Sequence, residues 1–191
     1  LTTVNYTSSG GGGGPALQIN NLIPGATYTI TGYVMLTSGE AASDTNFTVQ
    51  RQDPGCSGGT CYDTVGTYQV PVTAGAWVQI GGTYTVSTTE TSMLLYAQLS
   101  PSTTPTTPQS FYLDDVTITE TSGPPNPGQQ DNSGITSNFE DGGLDGWSQR
   151  SGATGLSNVA ISNGPGGDTN ALFVQNRAAF WDGPQTSIVN K

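Results

Sequence analysis

Apolar residues recur at every second position along about nine short stretches of this chain, and nowhere do they sustain the period of a helix. The clearest stretch, 26–36, alternates β-branched and aromatic residues with others, which is the pattern of a half-buried strand. Similar stretches cover 15–20, 45–51, 62–72, 77–86, 92–99, 110–119, 156–161 and 170–176. The 92–99 stretch is apolar enough to be nearly fully buried. Segment 73–76 contains Gly75 and suits a hairpin turn between its neighbours. Six or seven strands precede a Pro- and Gly-rich stretch at 121–136, and three or four follow it once the patterned region starting at Phe139, Leu144 and Trp147 and a turn or strand end at 180–184 are counted with 156–161 and 170–176. Short strands with turn signals between them predict an all-β, antiparallel sandwich. Neither group makes a comfortable sandwich alone.

Charged residues are only 9% of the 191, and the balance of Gly, Pro and small polar residues is that of extracellular β proteins with many turns. The same composition also fits partial disorder, which the strand patterns oppose outside the flexible 1–14 and the linker 121–136. A net charge of −10 with four basic residues leaves nothing to neutralise a phosphate backbone or an anionic membrane surface. No apolar run approaches the roughly 20 residues that cross a bilayer. The first residues lack a basic n-region, so a secretion signal has been removed or lies outside this sequence. Cys56 and Cys61 enclose Ser-Gly-Gly-Thr; with no second cysteine pair and no histidine to complete a zinc site, a loop disulfide is expected. That implies an oxidising, extracellular compartment. Asn5 and Asn46 each begin a glycosylation sequon, which matters only in a eukaryotic source.

Within 110–119 two adjacent acids, Asp114 and Asp115, interrupt the alternation. A carboxylate that turns inward needs a proton or a cation. No Lys, Arg or His lies between Gln52 and Gln149, so a bound metal is the natural partner. Matching oxygen donors appear in 137–142, which includes Glu140. The alternative is that Asp114, Asp115 and Glu140 are solvated surface acids.

Four motifs together carry a family resemblance: Phe139-Glu140-Asp141-Gly142, the 146–150 run ending in Arg150, the 176–183 run containing Trp181, and the 111–116 run ending in Val116. With these the chain resembles the carbohydrate-binding modules of family 22 and their relatives in families 4, 9 and 16. In that family the Phe-Glu segment opens the module and the Asp-Asp strand closes it. Here the order is reversed. The resemblance therefore implies a jelly-roll sandwich in circularly permuted order, with 137–191 supplying the first strands and 15–120 the rest. Two alternatives are a slice from a tandem array, with a second module starting near 137, and a strand-swapped dimer in which 137–191 completes a neighbouring copy; otherwise a monomer is expected.

The resemblance also implies a structural Ca2+ held by the side chains of Glu140 and Asp115, with carbonyls near Asn138 and Asp168. Calcium accepts six to eight oxygen ligands and tolerates irregular geometry, so such a site suits it. For sugar, the resemblance implies Trp181 as the stacking platform, Arg150 lining the groove, Tyr62 as a second aromatic, and Tyr96 and Gln98 on the strand of polar groove residues. The family typically has Glu where this chain has Gln98. Trp77 and Trp147 are expected in the core, because each sits in an apolar strand pattern.

The expected function is a non-catalytic module that binds xylan, or alternatively β-glucan, cello-oligosaccharide or mannan, and targets an appended glycoside hydrolase to it. A chain without histidine has no Ser-His or Cys-His catalytic pair. The remaining rival is a structural or adhesive repeat on a cell surface.

Overall fold

The computed structural model describes residues 18–20, 22–99, 109–123, 135–150, 155–179 and 182–189. Among them twelve strands form two sheets. The strands are β1 (Gln18–Asn20), β2 (Thr27–Leu36), β3 (Ser43–Gln52), β4 (Thr60–Val72), β5 (Val78–Thr85), β6 (Ser92–Leu99), β7 (Phe111–Ser122), β8 (Ile135–Ser137), β9 (Ser148–Gln149), β10 (Gly155–Ala160), β11 (Asn170–Gln175) and β12 (Pro184–Val189). One sheet runs β1-β12-β6-β3-β4 with β9 paired to β12, and the other runs β10-β11-β7-β2-β5 with β8 paired to β7. Every pairing is antiparallel except β1 with β12, which is parallel.

The period-2 pattern that defines β2 in the sequence is also its burial pattern, with Tyr28, Ile30, Val34 and Leu36 all inside and the intervening residues half-buried. From the facing sheet Phe47, Val49, Leu95, Ala97 and Leu99 meet them in one core. Gly32 leaves no room for a side chain in the core: a Cβ there would lie 3.0 Å from Phe47 of the facing sheet and from Val116 of the neighbouring strand. At one side of the sandwich the two backbones touch directly. A Cβ on Gly66 of β4 would fall 2.0 Å from the Gly81 carbonyl oxygen of β5, so only glycine fits.

Residues on both sides of 124–134 fill this single core. Phe139, at 0% exposure, Trp147, Leu172 and Val174 pack with Phe111, Leu113 and Val116. Burying a side chain of this size contributes about 1.5–3 kcal/mol. β11 and β8 both pair with β7, and β12 pairs with β6, so residues 135–189 add strands to both sheets that 18–122 begin.

Several sequence expectations are corrected. Segment 73–76 is not a hairpin, because β4 belongs to one sheet and β5 to the other; it carries the chain across the sandwich. The linker is shorter than 121–136, since β7 continues to Ser122 and β8 begins at Ile135. Five strands, not three or four, follow it. The loop disulfide between Cys56 and Cys61 is present. Asn46 is fully buried, so its sequon is closed to a glycan in the folded protein.

Candidate functional site

Strand β7 keeps β2 along one edge, but its other edge is shared. β11 pairs with Phe111, Tyr112 and Leu113, and β8 pairs with Val116, Thr117 and Ile118. Asp114 and Asp115 fall in the gap between them. Opposite the gap the β2 register slips between Thr31 and Tyr33, and Asp115 takes a φ of 49°, the mark of a β-bulge. The bulge turns both acids towards the 3-10 turn Pro165–Gly167, which delivers Asp168. Carboxylate oxygens of Asp114, Asp115 and Asp168 lie within 4.8 Å of one another.

This cluster is electrostatically unfavourable without a cation. Asp114 is fully buried; its Oδ1 accepts the Asp115 amide at 2.8 Å, and its Oδ2 has no hydrogen-bond partner. Burial, with the charges of Asp115, Asp168 and Glu140, pushes its pKa up to about 7. Burial and the neighbouring Asp168 push Asp115 up to about 6.

The structure departs here from the expected ligand set. Glu140 is not among the three clustered acids. Its Oε1 accepts the amides of Thr169 (2.9 Å) and Asn170 (2.7 Å), and its Oε2 the Thr169 hydroxyl (2.8 Å), which fixes the start of β11. The Thr169 hydroxyl and the Asn170 amide hold its pKa below the ordinary value. Asn138 is exposed, and its Oδ1 accepts the Glu140 amide at 3.4 Å. Asp115 and Asp168 are brought together, Asp168 through its carboxylate where a carbonyl was expected, and Asp114 joins them.

A second constellation occupies the outer face of the other sheet. Register pairs Gln50 with Tyr62 and Leu94, Thr48 with Tyr96, and Asn46 with Gln98, while the alternate residues Phe47, Val49, Leu95 and Ala97 point into the core. In the same sheet β9 pairs with β12, and the Arg150 amide donates to the Gly183 carbonyl at 3.1 Å. The Arg150 guanidinium stacks 4.0 Å from the centroid of Tyr96, and its Nη2 donates to Gln50 Oε1 at 3.2 Å. Such cation–π stacking is worth about 0.5–2 kcal/mol. Covered in this way, Tyr96 is 3% exposed, whereas Tyr62 is 59% exposed. Burial raises the Tyr96 pKa, against the charge of Arg150 and a hydrogen bond with Thr48.

Arg150, Tyr62 and Tyr96 thus share one face, and Gln98 lies two residues along β6 from Tyr96. Trp181 lies outside the described residues. The residues around it are tightly held: Asp182 Oδ2 accepts the amides of Ala178 (3.0 Å) and Ala179 (2.8 Å), and the buried Arg177 donates to the carbonyls of Asp182 and Gln109. Trp147 is in the core as expected, with its indole N–H donating to Ser137 Oγ at 3.2 Å. Trp77 is not; it is half-buried against Tyr112, with ring centroids 6.4 Å apart.

The polar outer face, with an exposed tyrosine beside a stacked arginine, has the makings of a sugar site, which needs apolar ring faces flanked by donors and acceptors. Residues 2–106 match the family described as carbohydrate binding domain. The chain belongs to the carbohydrate-binding domain family. This domain is 31% identical over 183 residues to endo-1,4-beta-xylanase A of Thermoanaerobacterium saccharolyticum, covering 93% of the chain and 14% of the xylanase. It is 33% identical over 129 residues to exoglucanase XynX of Acetivibrio thermocellus, covering 64% of the chain and 11% of that protein. The domain therefore spans a small part of the length of each of these relatives.

Among solved structures, the N-terminal CBM22-1-CBM22-2 tandem domain of Paenibacillus barcinonensis Xyn10C is 30% identical, with 85% of this chain and 46% of that one covered and a TM-score of 0.46. The CBM22-1 xylan-binding domain of the same protein is 31% identical, with 52% and 58% covered and a TM-score of 0.44. The family's function is binding. Consistent with this, the clustered carboxylates of the domain lie on the sheet opposite the Arg150–Tyr96 face.

Proposed function

We propose that the domain binds xylan along the outer face of the β1-β12-β6-β3-β4 sheet and holds a glycoside hydrolase in the same longer protein close to its substrate. The observation that carries this reading is the Arg150 guanidinium stacked on Tyr96 beside the exposed Tyr62, an aromatic and polar surface flanked by Gln50 and Gln98. The relative that spans most of the chain is an endo-1,4-beta-xylanase, which supports xylan over other β-glycans. Trp181 is expected to supply a stacking platform at this face, and secretion with the hydrolase follows from substrate location. Affinity electrophoresis against xylan, barley β-glucan, laminarin and mannan tests the proposal. Retardation is expected on xylan; retardation on none of the four would overturn it.

The acidic cluster is proposed as a structural Ca2+ site. Three carboxylates with oxygens within 4.8 Å of one another, one of them buried with an unpartnered Oδ2, fit a hard cation that takes oxygen ligands. Asp114, Asp115 and Asp168 would hold it, and it would supply the positive charge that the cluster lacks. Because Asp168 belongs to the later part of the chain and the two other acids to β7, the ion would tie the two parts together.

One observation favours a second reading of the sequence order. The match to the xylanase extends over 183 residues and 93% of the chain, so it takes in both parts of it, which supports the same order of segments in that relative. Under this reading the order reflects neighbouring modules of an array, and 137–191 are equally suited to open the next one. Extending the chain beyond residue 191 and asking by proteolysis which partner protects Phe139 distinguishes the two.

A further inference from the structure

β4 is the edge strand of the proposed binding sheet, and it does not run straight. Val65 pairs with Phe47 and Val70 with Thr45, so four residues, 66–69, stand opposite the single residue Asn46. Two of them, Gly66 and Gln69, have positive φ (67° and 56°), and for glutamine that conformation is strained. Gly66 is pinned against Gly81 of the other sheet, so the bulge leans on a fixed support. Tyr68 is one of the four bulged residues. Tyr68 and Tyr62 are both 59% exposed and are the exposed large apolar side chains among the described residues.

The position of this bulge matters. Across the sheet from it run Asn46 on β3 and Gln98 on β6, two carboxamides directly paired. Asn46 Nδ2 donates to the Phe47 carbonyl and Thr48 Oγ1, while its Oδ1 is buried without a partner. The Tyr62–Gln50 row lies four residues along β3 from the Asn46–Gln98 row, about 13 Å at the rise of a strand. Exposed Tyr62 stands at one end of this face, and the bulge that carries exposed Tyr68 lies beside the row at the other end.

We propose that Tyr68 is a second aromatic contact for the glycan at the far end of this face, so that the domain reads chain length and grips a β-glycan at two separated points. The inference rests on the proposed xylan-binding face and deepens it. A bulge that lifts a tyrosine off an edge strand, with a strained residue beside it, is a costly way to expose an aromatic ring unless something packs on it. A long oligosaccharide lying between Tyr62 and Tyr68 would contact both rings, whereas a disaccharide would reach one.

Isothermal titration of the intact chain with xylobiose, xylohexaose and soluble xylan tests this, using wild type, Tyr68→Ala and Tyr68→Phe. Tyr68→Ala is expected to weaken xylohexaose and xylan roughly three- to ten-fold, the scale of one aromatic contact. It should leave xylobiose unchanged, and Tyr68→Phe should restore the loss. An unchanged melting temperature checks that the exposed substitution spares the fold. Equal affinities of wild type and Tyr68→Ala for every ligand, or an equal loss for short and long ligands, overturn the role of Tyr68 and leave the binding face standing. Wild type that binds none of the three overturns both.

Discussion

Raising the pH on the metal-free protein should destabilise it, and calcium should reverse the effect. The reason lies at Asp114, whose pKa is pushed from an ordinary 3.8 to about 7 by burial among acids. Below pH 4 the carboxyl is protonated in both the folded and the unfolded chain. Between pH 4 and 7 the unfolded chain releases the proton and the folded one must keep it, so stability present at low pH is lost as the pH rises towards 7. At 1.36 kcal/mol per pKa unit the loss is at most about 4 kcal/mol. Water reaching the half-buried Asp115 screens part of it, and about 2–4 kcal/mol remains. For a domain of this size that is roughly 10 °C in melting temperature. Asp53 and Glu140, both with lowered pKa, contribute only at lower pH, so the window from 4.5 to 7 isolates the cluster. The assay is thermal melting in chelator and in millimolar calcium across that window, for wild type and Asp114→Asn. Chelated wild type should fall in melting temperature with rising pH, the Asn variant should fall less, and calcium should rescue wild type far more than the variant. A flat or rising profile in chelator, identical for both proteins, would refute the reasoning.

Other outcomes follow from the same geometry. Arg150→Ala removes the stack on Tyr96 and the bond to Gln50; xylan affinity by calorimetry should drop about ten-fold while the fold persists. Phe139→Ala opens a cavity in the shared core and should cost about 3–5 kcal/mol in denaturant unfolding, with the core residues of β7 loosening along with those of β11. Gly32→Ala forces a methyl against Phe47 and Val116 and should cost about 1–3 kcal/mol by the same measurement. Replacing Cys56 and Cys61 by serine should cost about 2 kcal/mol, because the closed loop is short.

Strands with a strong local signal, the strict alternation of β2 and the near-continuous apolar run of β6, were legible from their residues to within a residue at each end. The elements that escaped notice are those whose stability is not local. β8 is three residues beside Pro- and Gly-rich sequence, β9 is two residues, and β12 begins with proline and carries Gln-Thr-Ser. Each forms because a longer strand offers it an edge. Gly75 has the positive φ (82°) of a tight turn, yet whether the chain then returns to its own sheet or crosses to the other depends on distant packing. At the acidic cluster the chemistry was readable and the geometry was not. Two acids without a local cation drew attention to the strand, but the bulge at Asp115 decides which is buried, and the amides of Thr169 and Asn170 decide where Glu140 goes. The Arg150–Tyr96 stack joins residues far apart in sequence, and only the family resemblance pointed to both.

The placement of β12 has a consequence for how the molecule comes into being. This strand, the last in sequence, is not added at a margin but slots between β1, the first, and β6. Pro184–Val189 must therefore leave the ribosome before this sheet can close, and β6 waits with a bare flank until they do. Slow maturation, and a need for protection against sticking to other nascent chains during that wait, are built into the topology.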